Sequence, residues 1–404
     1  MTKNKSFYIR NKNLSHNDKL NLRQNLVCDL TEKNCDHFNE LFKIGFSIDM
    51  ASEKNCENLI GSIEVPLGIV GPVFSEINYI SKSGKVSSKG IRSYLVPLAT
   101  TEGALIASVH RGIKLINNGK TTVNIKKIGM SRSVVFECNS ITDAVLFDQY
   151  FKKNIKIFAN FCEQTSSHLK FLEYESYLRD KLLYFRFVFD TDQAMGMNMV
   201  TIALSYAWDK FKRQLPNDIR VSLLTISGNV CTDKKDSIIN RIKGRGYYVT
   251  VETKVSLEDA KKILKVDPKK LVKTHIVKNV IGSNVAGSFA QNMHVANVLG
   301  AFYLATGQDI AHVVAGSEAS VHFEVIDDQE LYVALTLPNV TVGSIGGGTW
   351  FPKQKQARSL INKKMPKAND LAICVGLVSL AGEISGLAAL STDTLASAHQ
   401  KLGR

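Results

Sequence analysis

The sequence predicts an α+β protein with a large mixed domain that contains long central helices, a smaller inserted domain and a short helical N-terminal segment. Three observations lead to this prediction. Strand and helix patterns alternate only in the middle of the chain, helical stretches rich in Gly, Ala and Val follow them, and the first 50 residues are polar and rich in Asn and Lys. A length of 404 residues suits two or three domains.

The composition describes a folded globular protein and leaves its partners open. The hydrophobic fraction is 44% and the charged fraction is 22%, both ordinary values. A formal net charge of +14 suits nucleic acid, a membrane surface or phosphate-rich small molecules. Because Lys and Arg are spread along the whole chain, charge alone does not choose among these partners.

Signals for export, membrane insertion and metal binding are missing from the sequence. The polar, basic N-terminus is not followed by the apolar stretch of a signal peptide. The apolar region from Leu371 to Leu390 is interrupted by Ser379, Glu383 and Ser385, so it falls short of the ~18 continuous apolar residues of a membrane span. Seven cysteines, an odd number, lack metal-ligand spacing and argue against a complete disulfide framework. We expect a soluble protein in a reducing cytoplasm.

The N-terminal segment, residues 1–50, places Leu20, Leu22, Leu26 and Leu30 at spacings that permit a short amphipathic helix. The following stretch, 65–72, combines β-branched residues with Gly and Pro and predicts strand and turn.

A helix is predicted over 98–116, capped by Thr100 or Thr101 and ended by Asn117-Asn118-Gly119. Glu102 falls in its first turn, where the helix dipole favours a negative charge. Compensation of that dipole is the commoner role for such a residue, so Glu102 needs a partner before it indicates chemistry.

The middle of the chain alternates between strands and helices. Strands are predicted near Ser131–Phe136, at Leu182–Phe189 and at 219–226, and helices near Ser140–Lys152 and at about 196–213. This order predicts a split βαβ, ferredoxin-like domain at 133–226, inserted between two parts of a large domain at 51–132 and 227–404.

A turn rich in methionine, Gln193 to Met199, lies between a predicted strand and the helix that follows it. Backbone N–H groups at that helix start can face an anion such as a pyrophosphate. The turn is not a G-x-G-x-x-G fingerprint, and a methionine row is more often core packing than a cofactor contact.

The stretch Ile226 to Lys235 follows a predicted strand, passes through Gly228-Asn229 and sets Asp233 beside Lys234 and Lys235. A lysine is charged at neutral pH, and an adjacent carboxylate favours the ammonium further. Such a loop can stabilise an oxygen that becomes negative during a reaction. A solvated surface turn is the commoner explanation of an isolated Asp-Lys-Lys.

Beyond this loop we predict a strand at Tyr247–Lys254, a helix opened by Ser256, and one long helix from Ser283 to Thr306 that Gly307 ends. Asp309 follows directly. It either caps its neighbours or shares a proton and a cation with Lys234 and Glu102.

The glycine cluster Gly343–Thr349 requires a ligand or a packed helix close to its backbone. Asn369 is predicted to cap the last helix. His399, near the C-terminus, is either solvated or a mobile proton donor.

Taken together, these stretches resemble the catalytic portion of class I 3-hydroxy-3-methylglutaryl-coenzyme A reductases, from about Glu57 to His399. The motifs that carry the resemblance occur in the family's order: Glu57–Gly61, Ala99–Gly103, Ala194–Met199, Ile226–Lys235, Gly307–Asp309 and Gly346–Thr349.

The resemblance implies reduction of 3-hydroxy-3-methylglutaryl-coenzyme A to mevalonate and coenzyme A with two NAD(P)H, through a thiohemiacetal and mevaldehyde. This is the first committed step of isoprenoid biosynthesis by the mevalonate pathway. Lys234 is then expected to stabilise the oxyanion, Glu102 to protonate the oxygen, and Asp309 to tune both. His399 is expected to protonate the departing thiolate.

The resemblance also implies binding residues. The hydroxymethylglutaryl group is expected to contact Arg132, Ser227, Asp233, Lys235, Lys278, His294 and Asn297. Coenzyme A is expected at Ser108, Arg111 and Lys265. The nicotinamide cofactor is expected at Gln193, Ala194, Met195, Gly196, Met197, Asn198, Ser166 and Ser167. The Glu57–Gly61 segment implies a homo-oligomer with active sites at the subunit interface, without metal, nucleic acid or membrane as partners.

The chain departs from the family pattern at three positions. Gln193 replaces an aspartate, Ser167 replaces an arginine for the 2′-phosphate of NADPH, and Ala398 replaces the serine before the histidine. NADPH is expected as the preferred cofactor, with NADH possible. The alternatives are a reductase homologue with altered cofactor use or no activity, and a basic nucleic-acid-binding protein with a continuous positive face.

Overall fold

The computed structural model describes residues 6–392, in which helices pack around two sheets joined by one long strand. The strands are β1 (Leu67–Ile80), β2 (Val86–Ala99), β3 (Lys120–Cys138), β4 (Lys170–Arg179), β5 (Leu182–Asp190), β6 (Val221–Thr225), β7 (Gly246–Ser256), β8 (Ser320–Ile326) and β9 (Glu330–Val340). The predicted mixed architecture is confirmed.

Fourteen α-helices are present among residues 6–392. They are α1 (His16–Thr31), α2 (Asn39–Phe42), α3 (Ile48–Lys54), α4 (Leu105–Asn118), α5 (Ile141–Glu163), α6 (Met197–Phe211), α7 (Ile238–Lys243), α8 (Leu257–Leu264), α9 (Pro268–His275), α10 (Ser283–Ala286), α11 (Val295–Thr306), α12 (Val313–Gly316), α13 (Pro352–Ser359) and α14 (Ala368–Ser391). A π-helical segment, Ile276–Gly282, joins α9 to α10.

The N-terminal segment is helical, and the sequence explains where α1 begins. The hydroxyl of Ser15 accepts the backbone N–H of Asp18, and the Asp18 carboxylate accepts the backbone N–H of Ser15. This reciprocal pair caps the helix. Leu20 on its inner face packs with Ala51 and Leu59, which ties the segment to the body of the protein.

One disulfide joins Cys28, at the end of α1, to Cys35 in the next turn, with Cα atoms 5.3 Å apart. The odd number of cysteines correctly excluded a framework that pairs every one, and five further cysteines are free: Cys56, Cys138, Cys162, Cys231 and Cys374. The expectation of a reducing compartment did not anticipate this bond.

The larger sheet has the strand order β2-β1-β3-β7-β9-β8. β1 runs parallel to β3, and the other neighbours are antiparallel. Apolar side chains alternate along β3 and β7, as at Val123, Ile125, Val249 and Val251, and they join one core with α4 and α14. This core sets the positions of the loops that leave the sheet.

The helix α14 is apolar on most faces, with a few buried polar residues such as Ser379, Glu383 and Ser385, and it lies inside that core. By length and composition it is the one helix among residues 6–392 that passes as a membrane span, yet its apolar stretch is wholly buried within the fold. A helix that is apolar all round either fills a core or spans a membrane. Here Leu371, Leu377, Leu380 and Ile384 pack against other core side chains.

The smaller sheet shares β3 and has the antiparallel order β6-β3-β5-β4. Its core is aromatic: Phe136 of β3 and Phe185 and Phe187 of β5 pack against α5, which contributes Phe151, and against α6. At Gly129 the strand β3 passes from one sheet to the other, since its pairing with β7 ends there and its pairing with β5 begins at Met130. Gly129 lies at φ 105°, and a Cβ there would lie 2.6 Å from the Phe189 carbonyl oxygen, so the position requires glycine.

The prediction of one helix over Ser283–Thr306 is wrong. The chain turns at Gly287, in the left-handed region at φ 67°, and α11 begins only at Val295. The Asn292 side chain accepts the backbone N–H of Val295, which begins the second helix. The run of small apolar residues did not reveal this break, because the break depends on polar side chains, such as that of Asn292, that accept the free N–H groups at the start of the second helix.

Two predicted helix starts are also wrong. The helix α4 begins at Leu105 after Ala104 at φ 69°, and Glu102 precedes it, with its backbone N–H donated to the Thr100 hydroxyl. The prediction that Asn117-Asn118-Gly119 ends this helix is confirmed, since its last residue is Asn118. At the last helix, the carboxylate of Asp370, and not Asn369, accepts the backbone N–H of Lys367.

Candidate active site

The loop after β6, which carries Lys234, has a constrained backbone. Asn229, Thr232 and Lys234 lie at φ 62°, 43° and 57°, in a region that non-glycine residues rarely occupy. Each such residue costs roughly 1–3 kcal/mol and persists only where its surroundings enforce it, and such strain clusters at functional sites. The Asn240 side chain enforces it here by donating to the Thr232 carbonyl at 2.8 Å. The loop is therefore more than a solvated turn.

The far end of this loop is anchored by Glu318, a buried residue that the sequence analysis missed. Its carboxyl group accepts the backbone N–H of Ser237 at 2.7 Å and the side-chain amide of Asn339 at 2.9 Å. Burial and a hydrogen bond with Asp236 raise the pKa of Glu318 to about 8.

The ammonium of Lys234 lies 2.7 Å from Oδ2 of Asp309, so the structure brings these two predicted residues together. Gly307, at φ 72°, ends α11 and turns the chain so that Asp309 follows it. The other oxygen of Asp309 accepts the backbone N–H of Ala311. Burial works against ionisation of Asp309, but the hydrogen bond and charge of Lys234 and the backbone N–H of Ala311 favour the carboxylate, and the pKa of Asp309 is lowered.

Asp233 faces inward from the same loop. Its Oδ1 forms an ion pair with Nη1 of the buried Arg245 at 2.9 Å, and its Oδ2 lies 4.0 Å from Nη1 of Arg132. Arg132 also donates to the Ile226 carbonyl. Arg245 was missed, and its position between Gly244 and Gly246, both at positive φ, is the only sequence signal of a special backbone there.

Lys235 and Ser227 belong to the same group of residues. The Lys235 ammonium lies 3.3 Å from the backbone carbonyl of Asp233, and the backbone N–H of Ser227 is donated to the Thr225 hydroxyl. The predicted residues that the structure gathers around this loop are Arg132, Ser227, Asp233, Lys234, Lys235 and Asp309. We call this group the lysine cluster.

A second group, which we call the glutamate cluster, forms around Glu102. The Asn297 side chain donates to Glu102 Oε1 at 3.3 Å, and His294 Nε2 lies 2.8 Å from the Gly382 carbonyl oxygen. The buried carboxylate of Glu383, missed by the sequence analysis, accepts the backbone N–H groups of Met293 and His294. Burial raises the pKa of Glu383, although nearby positive charge, including that of Lys278, opposes the shift.

The two clusters lie at opposite ends of α11. Asn297 is in its first turn, and Asp309 comes just after its last residue. Because an α-helix rises ~1.5 Å per residue, its 12 residues separate the clusters by roughly 18 Å. Within one subunit, Glu102 therefore does not join Lys234 and Asp309.

The predicted coenzyme A residues lie on neighbouring helices. Ser108 and Arg111 on α4 both hydrogen-bond to Ser385 on α14, at 3.0 Å and 2.9 Å, and the Arg111 guanidinium also donates to the Ser385 carbonyl. Ser385 was missed. Lys265 is exposed and ends α8 at φ 58°.

The turn between β5 and α6 contains most of the predicted cofactor residues. Gly196 lies at φ 93°, and a Cβ there would be 2.3 Å from the Thr191 side chain, so only glycine fits. The first N–H groups of α6 have no partners within the helix and so suit an anion. His168 Nδ1 lies 2.9 Å from Asp192 Oδ2, which brings the turn containing Ser166 and Ser167 alongside.

The methionines of this turn serve mainly as packing. Met197 is buried in the aromatic core, and Met195 and Met199 pack against it. The neighbouring Asn198 lies in the first turn of α6. The side chain of Gln193 accepts the backbone N–H of Ala368 at 3.0 Å, which joins the turn to the start of α14.

The glycine cluster 343–349 packs against both the turn between β5 and α6 and the end of α11. A Cβ on Gly343 would lie 2.5 Å from the Met195 nitrogen, and a Cβ on Gly307 would lie 2.4 Å from the Gly348 carbonyl oxygen. Gln308 also accepts the Gly343 N–H at 2.8 Å. Backbone packing therefore accounts for Gly343 and Gly307, whereas Gly346 has open space around it and is favoured by its φ of 84°. The packing connects the turn at Ala194 to the lysine cluster.

His399 and Ala398 lie outside the described residues. Across 6–392, no three His, Cys, Asp or Glu side chains are arranged to hold a metal ion.

Comparison with known proteins gives concordant results. Residues 19–404 match the family described as Hydroxymethylglutaryl-coenzyme A reductase. A 3-hydroxy-3-methylglutaryl-coenzyme A reductase of Methanocaldococcus jannaschii is 40% identical over 89% of this chain and 87% of that protein. One of Haloferax volcanii is 38% identical over 88% and 86%. The class II enzyme of Streptococcus pneumoniae bound to NADPH matches in structure with a TM-score of 0.65 at 19% identity, covering 93% of this chain and 97% of that chain.

Proposed function

The chain belongs to the hydroxymethylglutaryl-coenzyme A reductase family, and from this premise we propose that it reduces 3-hydroxy-3-methylglutaryl-coenzyme A to mevalonate and coenzyme A. The observation that carries the proposal is the Lys234–Asp309 pair, held 2.7 Å apart at the edge of a strained loop. A reductase of a thioester needs a fixed positive charge where the carbonyl oxygen becomes negative. Lys234 supplies that charge.

The other residues of the lysine cluster orient the substrate. The guanidinium of Arg132 offers paired N–H donors that suit the substrate's own carboxylate, and the ammonium of Lys235 adds charge on the same side. Asp233 holds Arg132 and Arg245 in place through its two oxygens.

The complete site is proposed to form between two copies of the chain. Protonation of the developing oxygen requires Glu102 beside Lys234, and the length of α11 keeps them apart within one subunit. A second copy that presents its glutamate cluster to the lysine cluster completes the constellation. Exposed apolar residues on β1 and β2, including Leu67, Ile69 and Ile91, supply a surface for such a contact.

The Glu57–Gly61 segment remains a prediction as a contact between subunits. Within the subunit, Leu59 is buried against α1, and the carbonyl of Ile60 accepts the side-chain amide of Gln24. Ile63, just after it, is 84% exposed. The segment is thus anchored on one side and presents an apolar residue on the other.

We propose that residues 133–226 form a ferredoxin-like domain inserted between 51–132 and 227–404, and that it holds the reduced nicotinamide cofactor. The strand order β6-β3-β5-β4 with α5 and α6 supports the domain. Gly196 and the start of α6 suit the cofactor's pyrophosphate. When bound, the cofactor supplies hydride. NADPH is the proposed preference, as NADPH is bound in the pneumococcal enzyme.

The decisive experiment follows the near-ultraviolet absorbance of the reduced cofactor with 3-hydroxy-3-methylglutaryl-coenzyme A as substrate. The wild-type chain should oxidise NADPH, and Lys234→Ala should reduce kcat by about 100-fold or more. Lys212→Ala is the matched control, since Lys212 pairs with Asp209 on the surface. A wild-type chain that oxidises neither NADPH nor NADH would refute the proposal and favour an inactive homologue.

A further inference from the structure

A histidine that the reaction scheme does not use lies behind the Lys234–Asp309 pair. His312 ends the single helical turn that Asp309 opens, and its side chain is wholly buried. Neither ring nitrogen has a hydrogen-bond partner among the described residues. Since a buried polar group without a partner is costly, this position requires an explanation.

The ring of His312 faces two carboxylates at once. Its Nε2 lies 3.7 Å from Oδ2 of Asp309 and 3.8 Å from Oδ1 of Asp233. The first of these oxygens also binds the Lys234 ammonium, and the second also pairs with Arg245. A single nitrogen atom therefore lies between the carboxylate that pairs with Lys234 and the carboxylate that pairs with Arg245.

The surroundings keep this ring neutral. Burial is the main cause, and the positive charge of Arg245 adds to it, so the pKa of His312 falls to about 4 although Asp233 and Asp309 favour the charged form. A neutral imidazole has one N–H group, on either nitrogen. The tautomer with the proton on Nε2 directs that N–H towards both carboxylates, whereas the other tautomer directs a lone pair at them.

We propose that His312 is a positioning residue whose neutral ring, with its proton on Nε2, holds the carboxylate of Asp309 against Lys234 and the carboxylate of Asp233 against Arg245. This inference rests on the proposed function, since it concerns the residues assigned to the reaction. The N–H group offsets the repulsion between two like charges that a purely apolar side chain would leave in place. His312 thereby keeps Asp309 ionised and directed at the ammonium.

The consequence concerns the acid side of the pH–rate profile. Without the N–H group, the pKa of Asp309 rises, and the carboxylate protonates at a higher pH. Lys234 then loses its partner over part of the working range. Charged groups facing the ring are Asp233, Asp309, Arg245 and Lys234, and each is retained when only residue 312 is changed.

Two variants separate positioning from packing. His312→Gln keeps an N–H donor, and His312→Leu removes it. We expect His312→Leu to lower kcat about tenfold or more, with KM for the acyl-coenzyme A within about twofold, and to move the acid limb of kcat to higher pH. His312→Gln should keep the wild-type limb. His275→Leu is the matched control, because His275 is another buried neutral histidine, on α9.

Nitrogen NMR of the wild-type ring gives a readout independent of activity, with the signal assigned by its loss in His312→Gln. The neutral tautomer protonated on Nε2 should persist across neutral pH. Protonation on Nδ1, a ring that titrates near 6.5, or an unchanged acid limb in His312→Leu would each overturn the proposal. If the wild-type chain oxidises neither cofactor, the proposed function fails. The NMR measurement of the His312 tautomer does not depend on activity, so it still decides whether the ring donates towards the two carboxylates.

Discussion

The ammonium of Lys234 lies 2.7 Å from Oδ2 of Asp309, and both side chains keep more than a third of their surface exposed. An ion pair this accessible contributes little to the free energy of unfolding. Its fixed geometry comes from the strained loop and from the turn after α11. The pair is therefore better explained by chemistry than by stability, and the two contributions can be measured separately.

Asp309→Asn should lower kcat by roughly 100-fold, because the electrostatic arrangement around Lys234 is lost. The free energy of unfolding should change by less than about 1 kcal/mol, since the pair is partly exposed. Steady-state kinetics and urea unfolding check the two expectations. Asp328→Asn is the control, because Asp328 forms an exposed pair with Lys269. A loss of stability that matches the loss of rate would contradict this assignment.

Mixing two inactive variants tests whether the site is shared between subunits. Glu102→Gln and Lys234→Ala should each be inactive alone, because each removes one half of the site. After subunit exchange, half of the sites in a mixed dimer contain both native residues, so activity should recover to about a quarter of wild type. The rate is measured after reversible denaturation and joint refolding. No recovery in confirmed mixed dimers would indicate that both residues act within one subunit.

Glu318→Gln should change how stability depends on pH. The pKa of Glu318 is about 8 in the folded protein, above its ordinary value of 4.5. Between these values the folded state keeps a proton that the unfolded state has lost, so the free energy of unfolding falls as pH rises through this window. Thermal unfolding across the window should show a weaker decline in Glu318→Gln. Equal slopes in both proteins would contradict the raised pKa.

Ser167→Arg should strengthen the preference for NADPH over NADH. Ser167 precedes His168, which pairs with Asp192 beside the turn between β5 and α6. A guanidinium at position 167 can therefore reach a phosphate on the adenosine ribose of a cofactor bound at that turn. A hydrogen bond between charged groups is worth roughly 1.5–3 kcal/mol, or about tenfold and more in KM for NADPH. Kinetics with both cofactors measure the ratio. Ser167→Gln is the control for side-chain size, and an unchanged ratio in the arginine variant would place the phosphate elsewhere.

The sequence predicted β3, β5, β6, α5 and α6 in the middle region because their periodicity is local, and it missed β4. The bounds of β5 and β7 and the start of α8 lie within two residues of the predictions, and Gly307 ends α11 as expected. The break before Val295 was missed because it depends on Asn292 and Glu383, and Glu383 is distant in sequence. Caps supplied from another helix leave no local pattern.

The residues of the candidate site also divide into those that local sequence motifs revealed and those that depend on contacts distant in sequence. Lys234, Asp309 and Glu102 were identified by motif, and the structure places the first two in contact. Arg245 and His312 were missed, since a buried arginine or histidine has no periodic signature and gains meaning only from the carboxylates that face it. The separation along α11 could not be read from residue types either, because it is a distance between loops at opposite helix ends.

The uninterrupted passage of β3 through both sheets links the registers of the two sheets. Because side chains alternate along a strand, loss of one residue between Lys120 and Gly129 would turn inward-facing groups outward in whichever part of the strand shifted. The two hydrophobic cores on either side of Gly129 could then not both keep the native register of β3, and one of them would lose its buried side chains. Length changes in this protein should accordingly accumulate in the hairpin tip at 81–85 and in other surface turns, and spare these 19 residues.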